Sequence, residues 1–233
     1  MLAQPITFTY PKDNTCTVHI DFKGNEYLIQ WNGDWRQLPD LTQFPLVTDA
    51  IITRLEHSPS VSDIWATSEV LKFGADAHVR ALHSCKDGFP ICKVAIDARQ
   101  RLLIRDEFSI LYHLVSQDAP VVRICPQPLI DEDGIFGFRM ERLFEINTET
   151  AAEYISEIKN AINTIHQCGI VLHDISPSNI MLDQHGRITI IDFGRAGYIG
   201  ESIPSCKAIG VRPTMELFSV DADRLALDRT ISM

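Results

Sequence analysis

Residues 171–182 have the sequence VLHDISPSNIML, and this stretch decides which fold the chain predicts. Two apolar runs enclose an aspartate, Asp174, and an asparagine five positions later, Asn179. Asp, Asn, Ser and Pro are all turn formers, so the stretch could simply reverse the chain. The same two side chains could also accept a proton and hold a metal ion in a phosphoryl-transfer site. The stretch alone does not separate these two interpretations.

Three further polar residues stand on predicted elements elsewhere in the chain. Lys93 lies in a predicted strand, Glu107 lies on the helix that follows, and Asp192 precedes Phe193-Gly194 at the end of another strand. Each has an ordinary structural explanation by itself, because most such side chains face solvent. Their joint order is that of strand lysine, helix glutamate, Asp-x4-Asn and Asp-Phe-Gly, the kinase signature set. We therefore predict a kinase-like site.

Phosphoryl transfer explains why these residue types occur together, since it needs charge placement more than covalent help. Lys93 would neutralise the α- and β-phosphates of ATP, and Glu107 would hold the lysine ammonium in position. Asp192 and Asn179 would give hard oxygen ligands to Mg²⁺. Asp174 would accept or orient the proton of the attacking hydroxyl. The expected cofactors are therefore ATP and Mg²⁺.

The pattern of the rest of the chain predicts an α+β protein with a strand-rich N-lobe and a minimal helical C-lobe. Apolar spacing and turn residues predict the elements that carry this assignment. Strands are predicted over residues 65–74, 78–84 and 89–96, around the turn 131–134 and around the turn 183–186, and helices over residues 100–115, 150–168 and 221–232.

The first 62 residues are predicted to be an N-terminal extension with a hairpin and a helix. Residues 16–22 and 26–31 are β-rich and flank Lys23-Gly24-Asn25, which is a hairpin signal. Residues 46–57 carry apolar side chains at helical spacing. The kinase-like domain is expected over residues 63–233, with its N-lobe over about 63–143 and its C-lobe over about 144–233. No chemical motif stands in the extension.

Composition limits the function classes that fit the chain. The 233 residues carry a formal net charge of −10, which argues against a broad nucleic-acid surface. Neither a secretory signal nor an apolar run long enough to cross a bilayer stands in the sequence. The six cysteines form no CxxC pair, which favours reduced thiols. We expect a cytoplasmic protein, with the nucleus as an alternative, whose partners are ATP and a protein.

Residues 70–231 resemble the protein kinase-like superfamily, on the five residues above. Within it the chain is similar to the minimal atypical kinases, namely the kinase subunit of the KEOPS tRNA-modification complex and short fungal kinase-like proteins. GADA (74–77) is similar to the Gly-Ala-Glu-Ala segment of the KEOPS subunit, and residues 173–182 are similar to its His-Gly-Asp-x4-Asn loop. Aminoglycoside-type phosphotransferases place a different acidic motif at Asp-Phe-Gly, so Phe193-Gly194 favours the protein-kinase side.

The resemblance implies where a nucleotide would bind. Gly74 is the one glycine in the segment where a full phosphate loop would have the pattern G-x-G-x-x-G. Met140 looks like the gatekeeper, and Glu141 and Leu143 would give backbone groups to adenine. The resemblance also implies a stacked apolar spine of Leu111, Leu172 and Phe193.

Four departures from the family pattern change what we expect of the site. His173 stands in place of an arginine, so the clamp for a phosphorylated activation segment is missing. Ser176 replaces a lysine that many serine/threonine kinases direct at the γ-phosphate, which predicts slower transfer or a different acceptor. Residues 210–217, GVRPTMEL, only loosely resemble an Ala-Pro-Glu motif. Asp223 is placed to bind the loop backbone, and no later peptide-docking helices are expected, as in the minimal kinases.

Together these observations favour an ATP- and Mg²⁺-dependent phosphotransferase, an atypical protein serine/threonine kinase that phosphorylates itself or other proteins, or hydrolyses ATP. The alternative is a pseudokinase or scaffold that binds nucleotide or a partner without catalysis. A small-molecule kinase and an ATPase within a tRNA-modification assembly are two further hypotheses.

Overall fold

The computed structural model describes residues 4–12, 15–23, 25–34, 36–37, 39–74, 76–147, 150–204, 207 and 216–231. Within these ranges the chain is a mixed α+β protein, as predicted, and its named strands pair in four antiparallel sheets. None of the helices within the same ranges is long and apolar enough to cross a membrane. The five cysteines that these ranges include are unbridged.

The first sheet consists of β1 (Gln4–Lys12), β2 (Thr15–Phe22), β3 (Asn25–Asn32) and β4 (Ala50–Arg54), in that order. The predicted hairpin is confirmed, because β2 pairs with β3 along its whole length. Alternate residues of the two strands point to one face, as the two-residue period of a strand requires. That face forms a small core with Cys16, Val18, Ile20, Ile29 and Trp31.

The helix predicted over residues 46–57 is wrong, because this segment contains β4, which pairs with β3. Asp49 has a φ of 57°, in the left-handed region that a helix cannot continue through. The apolar spacing misled us because Ile51 is 68% exposed and so does not share a buried face with Ile52. Two β-branched residues in succession also favour a strand.

A short helix, α1 (Pro59–Thr67), connects the first sheet to the second. The strand predicted from residue 65 is therefore wrong in its first three residues. The start of α1 carries an ordinary capping signal, since Ser58 Oγ accepts the Val61 N–H at 3.3 Å and Pro59 stands in the first turn. Ser58 followed by Pro59 is a helix-start signal that the sequence itself contains.

The second sheet has five strands in the order β5-β6-β7-β9-β8, and its strands otherwise agree with the prediction. They are β5 (Ser68–Phe73), β6 (His78–Leu82), β7 (Ile91–Val94), β8 (Leu129–Asp131) and β9 (Gly134–Met140). Between β7 and β8 runs α2 (Ala98–Ser116), which packs against β7 and β9. Asp97 caps α2, because its Oδ1 accepts the Gln100 N–H at 2.7 Å.

The remaining elements form the more helical part of the chain. They are β10 (Phe144–Glu145), α3 (Ile155–Gln167), β11 (Ile170–Val171), β12 (Ile180–Leu182), β13 (Ile188–Ile190), β14 (Gly197–Tyr198) and α4 (Val220–Ile231). The predicted hairpin around residues 183–186 is confirmed by the pairing of β12 with β13. Gly169 follows α3 with a φ of 82°, as a helix-ending glycine does.

A cluster of buried and half-buried polar residues, the junction cluster, ties the first sheet to α1. It consists of His19 of β2, Glu26 of β3, His57 and Trp65. Glu26 Oε1 accepts the Trp65 Nε1–H at 2.8 Å, and Glu26 Oε2 lies 3.1 Å from His57 Nε2 and 3.3 Å from His19 Nε2. Burial raises the pKa of Glu26, but these three contacts together hold it well below its ordinary range.

Candidate active site

Lys93 lies at the centre of the site, between two carboxylates that come from distant parts of the chain. It stands in the middle of β7, whose four residues are all buried. Its Nζ donates to Glu107 Oε1 at 2.8 Å and to Asp192 Oδ1 at 2.8 Å. Burial alone would lower the pKa of the Lys93 ammonium, but the charges of Glu107 and Asp192 raise it above its ordinary value. The lysine is therefore fully charged.

Glu107 is held on the buried face of α2 by the helical period. Leu103, Ile104 and Leu111 occupy the same face, three or four residues away, and are essentially inaccessible. The backbone N–H of Phe193 donates to Glu107 Oε1 at 3.0 Å. This carboxylate therefore joins three elements, namely β7, α2 and the Asp-Phe-Gly segment.

Asp192 presents its charge toward solvent. Its side chain is 41% exposed although one oxygen is paired with Lys93. The charge of Lys93 lowers the pKa of Asp192 below its ordinary value, against the effect of burial. The backbone of Asp192 has a φ of 65°, and His173 has a φ of 60°. Positive φ values in non-glycine residues are costly and often occur at functional sites.

The loop that carries Asp174 is held by Asp223 of α4, as predicted. Asp223 is completely buried, and its carboxylate accepts the N–H groups of Leu172 and His173, both at 2.8 Å. Asp223 Oδ2 also lies 2.9 Å from His166 Nε2 of α3. Asn179 closes the other end of the loop, donating from Nδ2 to the carbonyl oxygen of Asp174 at 2.9 Å.

The Asp174 side chain is available for chemistry. It is 46% exposed, and Arg195 Nε lies 4.0 Å from its Oδ2. Burial and the neighbouring charge of Asp192 raise the pKa of Asp174, while Arg195 opposes this effect. A raised pKa brings a carboxylate closer to the basicity that a proton acceptor needs.

His173 is not a substitute for the missing arginine. Its ring lies 4.9 Å from the ring of Phe218, and its Nε2 is buried without a hydrogen-bond partner among the described residues. Burial lowers the pKa of the His173 ring, so the ring is neutral. Leu111, Leu172 and Phe193, the three predicted spine residues, are all buried in one apolar core. Residues 210–215 of the GVRPTMEL segment lie outside the described residues.

The residues predicted to bind adenine lie at the end of β9. Met140 is the last residue of this strand, and both Met140 and Leu143 pack against the main core. The Glu141 N–H donates to the carbonyl oxygen of Arg123 at 3.1 Å, and the Glu141 carboxylate accepts the Arg123 N–H at 2.9 Å. Glu141 therefore fixes the path of the chain, and its N–H is already engaged.

The turn between β5 and β6 is tight at Gly74, whose N–H donates to the carbonyl oxygen of Ala77 at 2.9 Å. A Cβ atom at position 74 would lie only 2.9 Å from that oxygen, so the turn needs glycine. Asp76 in this turn pairs with Arg99 Nη2 at 2.8 Å and with Arg195 Nη2 at 3.3 Å. Sequence reasoning missed these contacts, although Arg195 directly follows Asp-Phe-Gly.

Lys207 is a second residue that sequence reasoning missed. It is 5% exposed, and its Nζ donates to the carbonyl oxygen of Ala196 at 2.8 Å. Asp106 Oδ2 lies 3.6 Å from the same nitrogen. Asp106 directly precedes Glu107 on α2. Lys207 therefore links the segment after Asp-Phe-Gly to α2, the helix whose Glu107 accepts a hydrogen bond from Lys93. In the sequence, the positive charge of Lys207 is only a weak indication that it belongs near the site.

Comparison with known proteins agrees with this geometry over part of the chain. Residues 129–213 match the protein kinase domain family. The matched stretch includes Asp174, Asn179 and Asp192 and begins after Lys93 and Glu107. A protein kinase domain thus accounts for the stretch that contains the loop, the hairpin and Asp-Phe-Gly.

The individual relatives are serine/threonine-protein kinases. The chain is 36% identical over 86 residues to serine/threonine-protein kinase PKH1 of Saccharomyces cerevisiae, which covers 37% of this chain and 11% of that protein. It is 30% identical over 93 residues to human serine/threonine-protein kinase 32B, which covers 39% of this chain and 22% of that protein. The chain is 36% identical over 62 residues to serine/threonine-protein kinase ppk31 of Schizosaccharomyces pombe. This alignment covers 27% of this chain and 6% of that protein. The chain spans less than a quarter of the length of each.

Proposed function

We propose that the chain is an ATP- and Mg²⁺-dependent phosphotransferase, and specifically an atypical protein serine/threonine kinase. One observation carries this proposal: the Lys93 ammonium joins Glu107 and Asp192, with 2.8 Å to each carboxylate. A charged lysine held between a helix glutamate and a half-exposed aspartate is arranged to receive phosphate oxygens. The similarity to serine/threonine-protein kinases supports a hydroxyl as the acceptor.

The proposed step is the transfer of the γ-phosphoryl group of ATP to a hydroxyl. A bond forms between the hydroxyl oxygen and the γ-phosphorus, and the bond from that phosphorus to the β–γ bridging oxygen breaks. The electron pair of the broken bond stays on ADP, and the hydroxyl proton passes to Asp174. The raised pKa of Asp174, caused first by burial, suits it to this role.

The donors around Asp192 fit a magnesium ion chemically. Asp192 has a carboxylate that is 41% exposed, and Asn179 has an amide oxygen on the neighbouring loop. Mg²⁺ takes few protein ligands and keeps phosphate oxygens and water. When bound, Mg²⁺ would neutralise phosphate charge.

A pseudokinase or scaffold that binds nucleotide without catalysis is the second candidate. The turn that would cover the phosphates carries an acidic residue, Asp76, and only one glycine at its start. Ser176 gives no positive charge at the loop. Both features disfavour a fast reaction.

Other parts of the interpretation remain hypotheses. The KEOPS resemblance rests on residues 74–77 and 173–182 alone, and an ATPase within such an assembly would follow from it. A small-molecule acceptor, a partner protein, a cytoplasmic or nuclear location and a domain boundary near residue 62 are proposals of the same kind.

Phosphoryl transfer from γ-labelled ATP tests the proposal, with the protein itself and a serine/threonine peptide mixture as acceptors. We expect the wild type to transfer label and Asp192→Ala to transfer none while it keeps a native circular dichroism spectrum. Asp133→Ala, in the exposed β8–β9 turn, is the matched control and should behave as the wild type. Label transfer by Asp192→Ala at the wild-type rate would overturn the mechanism. Nucleotide binding without transfer or hydrolysis by the wild type would favour the scaffold.

A further inference from the structure

Residues 174–179 of the loop carry no lysine or arginine beside the position where the transferred phosphoryl group would lie. Ser176 stands where many kinases place a lysine, and its Oγ lies 2.9 Å from Ser178 Oγ within the same loop. Asp174 and Asp192 place two carboxylates beside this position, with 46% and 41% of their side chains exposed. A triphosphate beside two carboxylates is stabilised by each cation near it, and a side-chain cation would add to Lys93 and to the proposed Mg²⁺, because like charges repel in a partly buried site.

Arg195 brings a guanidinium close to Asp174. It directly follows Asp-Phe-Gly, its side chain is 22% exposed, and its Nε lies 4.0 Å from Asp174 Oδ2. Its Nη2 lies 3.3 Å from Asp76 Oδ2 in the turn between β5 and β6. The guanidinium therefore lies between the proton acceptor and the turn that would cover the phosphates. Its charge also acts on Asp192, lowering the pKa of that carboxyl after the larger effect of Lys93.

We propose that Arg195 binds the γ-phosphate of ATP. Its guanidinium would thus supply the positive charge that a lysine at position 176 would give. Without nucleotide, the guanidinium pairs with the carboxylate of Asp76. This inference rests on the proposed function, because it takes ATP as the ligand. A guanidinium presents paired donors in a fixed plane, which suits phosphate oxygens. The Asp76 carboxylate lies at hydrogen-bond distance from Arg195, and Asp76 also pairs with Arg99 Nη2 at 2.8 Å, so the turn has a second anchor when Arg195 changes partner.

The proposal predicts a specific loss of preference for ATP over ADP. Calorimetric titration with Mg²⁺-ATP and Mg²⁺-ADP should show that Arg195→Ala weakens ATP binding by roughly 10- to 100-fold, the range for hydrogen bonds to charged groups. Binding of ADP, which has no γ-phosphate, should not change. Arg195→Lys should lose less, because it keeps the charge without the paired donors. Arg54→Ala is the matched control, since Arg54 Nη2 donates to Asn25 Oδ1 at 2.6 Å in the first sheet.

A second variant tests the replacement directly. Ser176→Lys, made in the Arg195→Ala background, should restore a large part of the ATP preference, because it returns a cation to the loop. Equal weakening of ATP and ADP by Arg195→Ala, or an unchanged ATP affinity, would overturn the assignment.

The experiments distinguish a failure of the Arg195 proposal from a failure of the proposed function. Wild-type protein that binds both nucleotides but transfers no phosphoryl group contradicts the proposed function, while the comparison of ATP with ADP still decides the role of Arg195. Wild-type protein that binds neither nucleotide contradicts both proposals.

Discussion

Two buried carboxylates in this chain, Glu107 in the candidate site and Glu26 in the junction cluster, use their hydrogen bonds differently. Both are almost inaccessible, with 2% and 6% of their surface exposed. Glu107 accepts from Lys93, which also donates to Asp192 at the edge of the solvent. Glu26 instead contacts His19 of β2, His57 in the connection between β4 and α1, and Trp65 of α1. The hydrogen bonds of Glu107 thus lead through Lys93 to a solvent-exposed carboxylate. The hydrogen bonds of Glu26 stay within the junction cluster.

This difference teaches how to separate a functional cluster from a structural one. Both are polar and buried, so burial alone does not distinguish them. The site cluster leaves carboxylate oxygen exposed at Asp192 and Asp174, whereas the contacts of the junction cluster connect the first sheet with α1. We therefore expect variants of the site to change chemistry and variants of the junction cluster to change stability.

The largest expected effect is that of Lys93→Met. The substitution removes the cation between Glu107 and Asp192, and phosphoryl transfer should fall by about 10³-fold, the upper range for losing one preorganised donor. The rate of label transfer from ATP measures this fall. Lys86→Met, at an exposed position between β6 and β7, is the matched control and should transfer label normally. A Lys93→Met protein of wild-type activity would remove the basis for calling this cluster a site.

Asp223→Asn should lower the free energy of unfolding by about 3 kcal/mol, because a buried carboxylate that accepts several hydrogen bonds loses part of them. Its neighbour on α4, Asp221, has a side chain that is 79% exposed, so Asp221→Asn controls for the helix. Urea denaturation measures both. Equal stability of the two variants would show that the loop does not depend on Asp223.

Glu26→Gln should lower the free energy of unfolding by about 2 kcal/mol, since the junction cluster loses a charged acceptor. Phosphoryl transfer per folded molecule should stay at the wild-type level, because Glu26 has no contact with the site residues. The exposed Glu56→Gln is the control. Chemical denaturation and label transfer, measured on the same preparations, give the two quantities. A large fall in transfer with unchanged stability would contradict the division of the two clusters.

The smallest predicted effect concerns pH. Burial lowers the pKa of His78 from 6.5 to about 4, with Glu26 opposing the shift, so the folded protein holds this ring neutral. The unfolded chain takes up a proton below pH 6.5 that the folded chain refuses, so stability falls as the pH falls from 6.5 toward 4. Between pH 7.5 and 5.5 this one group should cost about 1.4 kcal/mol.

To isolate the contribution of His78, the free energy of unfolding is measured at pH 7.5 and at pH 5.5 for His78→Gln and for the wild type. The change between the two pH values is then compared. The variant should lose less stability than the wild type, and His185→Gln, at an exposed position, should lose as much as the wild type. Identical pH dependence in His78→Gln and the wild type would show that the ring does not titrate as stated.

The sequence was sufficient to propose the Lys93–Glu107–Asp192 cluster as a site, because phosphoryl-transfer chemistry would restrict both residue type and element. Lys93, Glu107 and Asp192 stand on a strand, a helix and a strand end whose apolar patterns are strong. The contact of Lys93 with Glu107 and the hydrogen bonds of Asp223 to Leu172 and His173 are present as predicted, whereas the contact of Lys93 with Asp192 was not predicted. The position of these residues in a kinase-like order needed no knowledge of packing.

The sequence was insufficient where packing between distant segments decides the structure. Residues 46–57 have helical spacing, yet residues 50–54 of this segment pair with β3 as the strand β4. The contact between Asp76 and Arg195 joins residues 119 positions apart, and nothing local to either residue indicates it. Lys207 depends in the same way on the approach of its segment to α2. Such contacts between distant segments can be identified only once the fold is known.

The most direct test of the central claim is a calorimetric titration of Mg²⁺-ATP into the wild type, Asp192→Ala and Glu26→Gln. We predict that the wild type and Glu26→Gln bind with the same affinity and that Asp192→Ala, still folded, loses binding. Binding of Mg²⁺-ATP to Asp192→Ala at the wild-type affinity, or its absence from the wild type, would contradict the assignment of the Lys93–Glu107–Asp192 cluster as a nucleotide site.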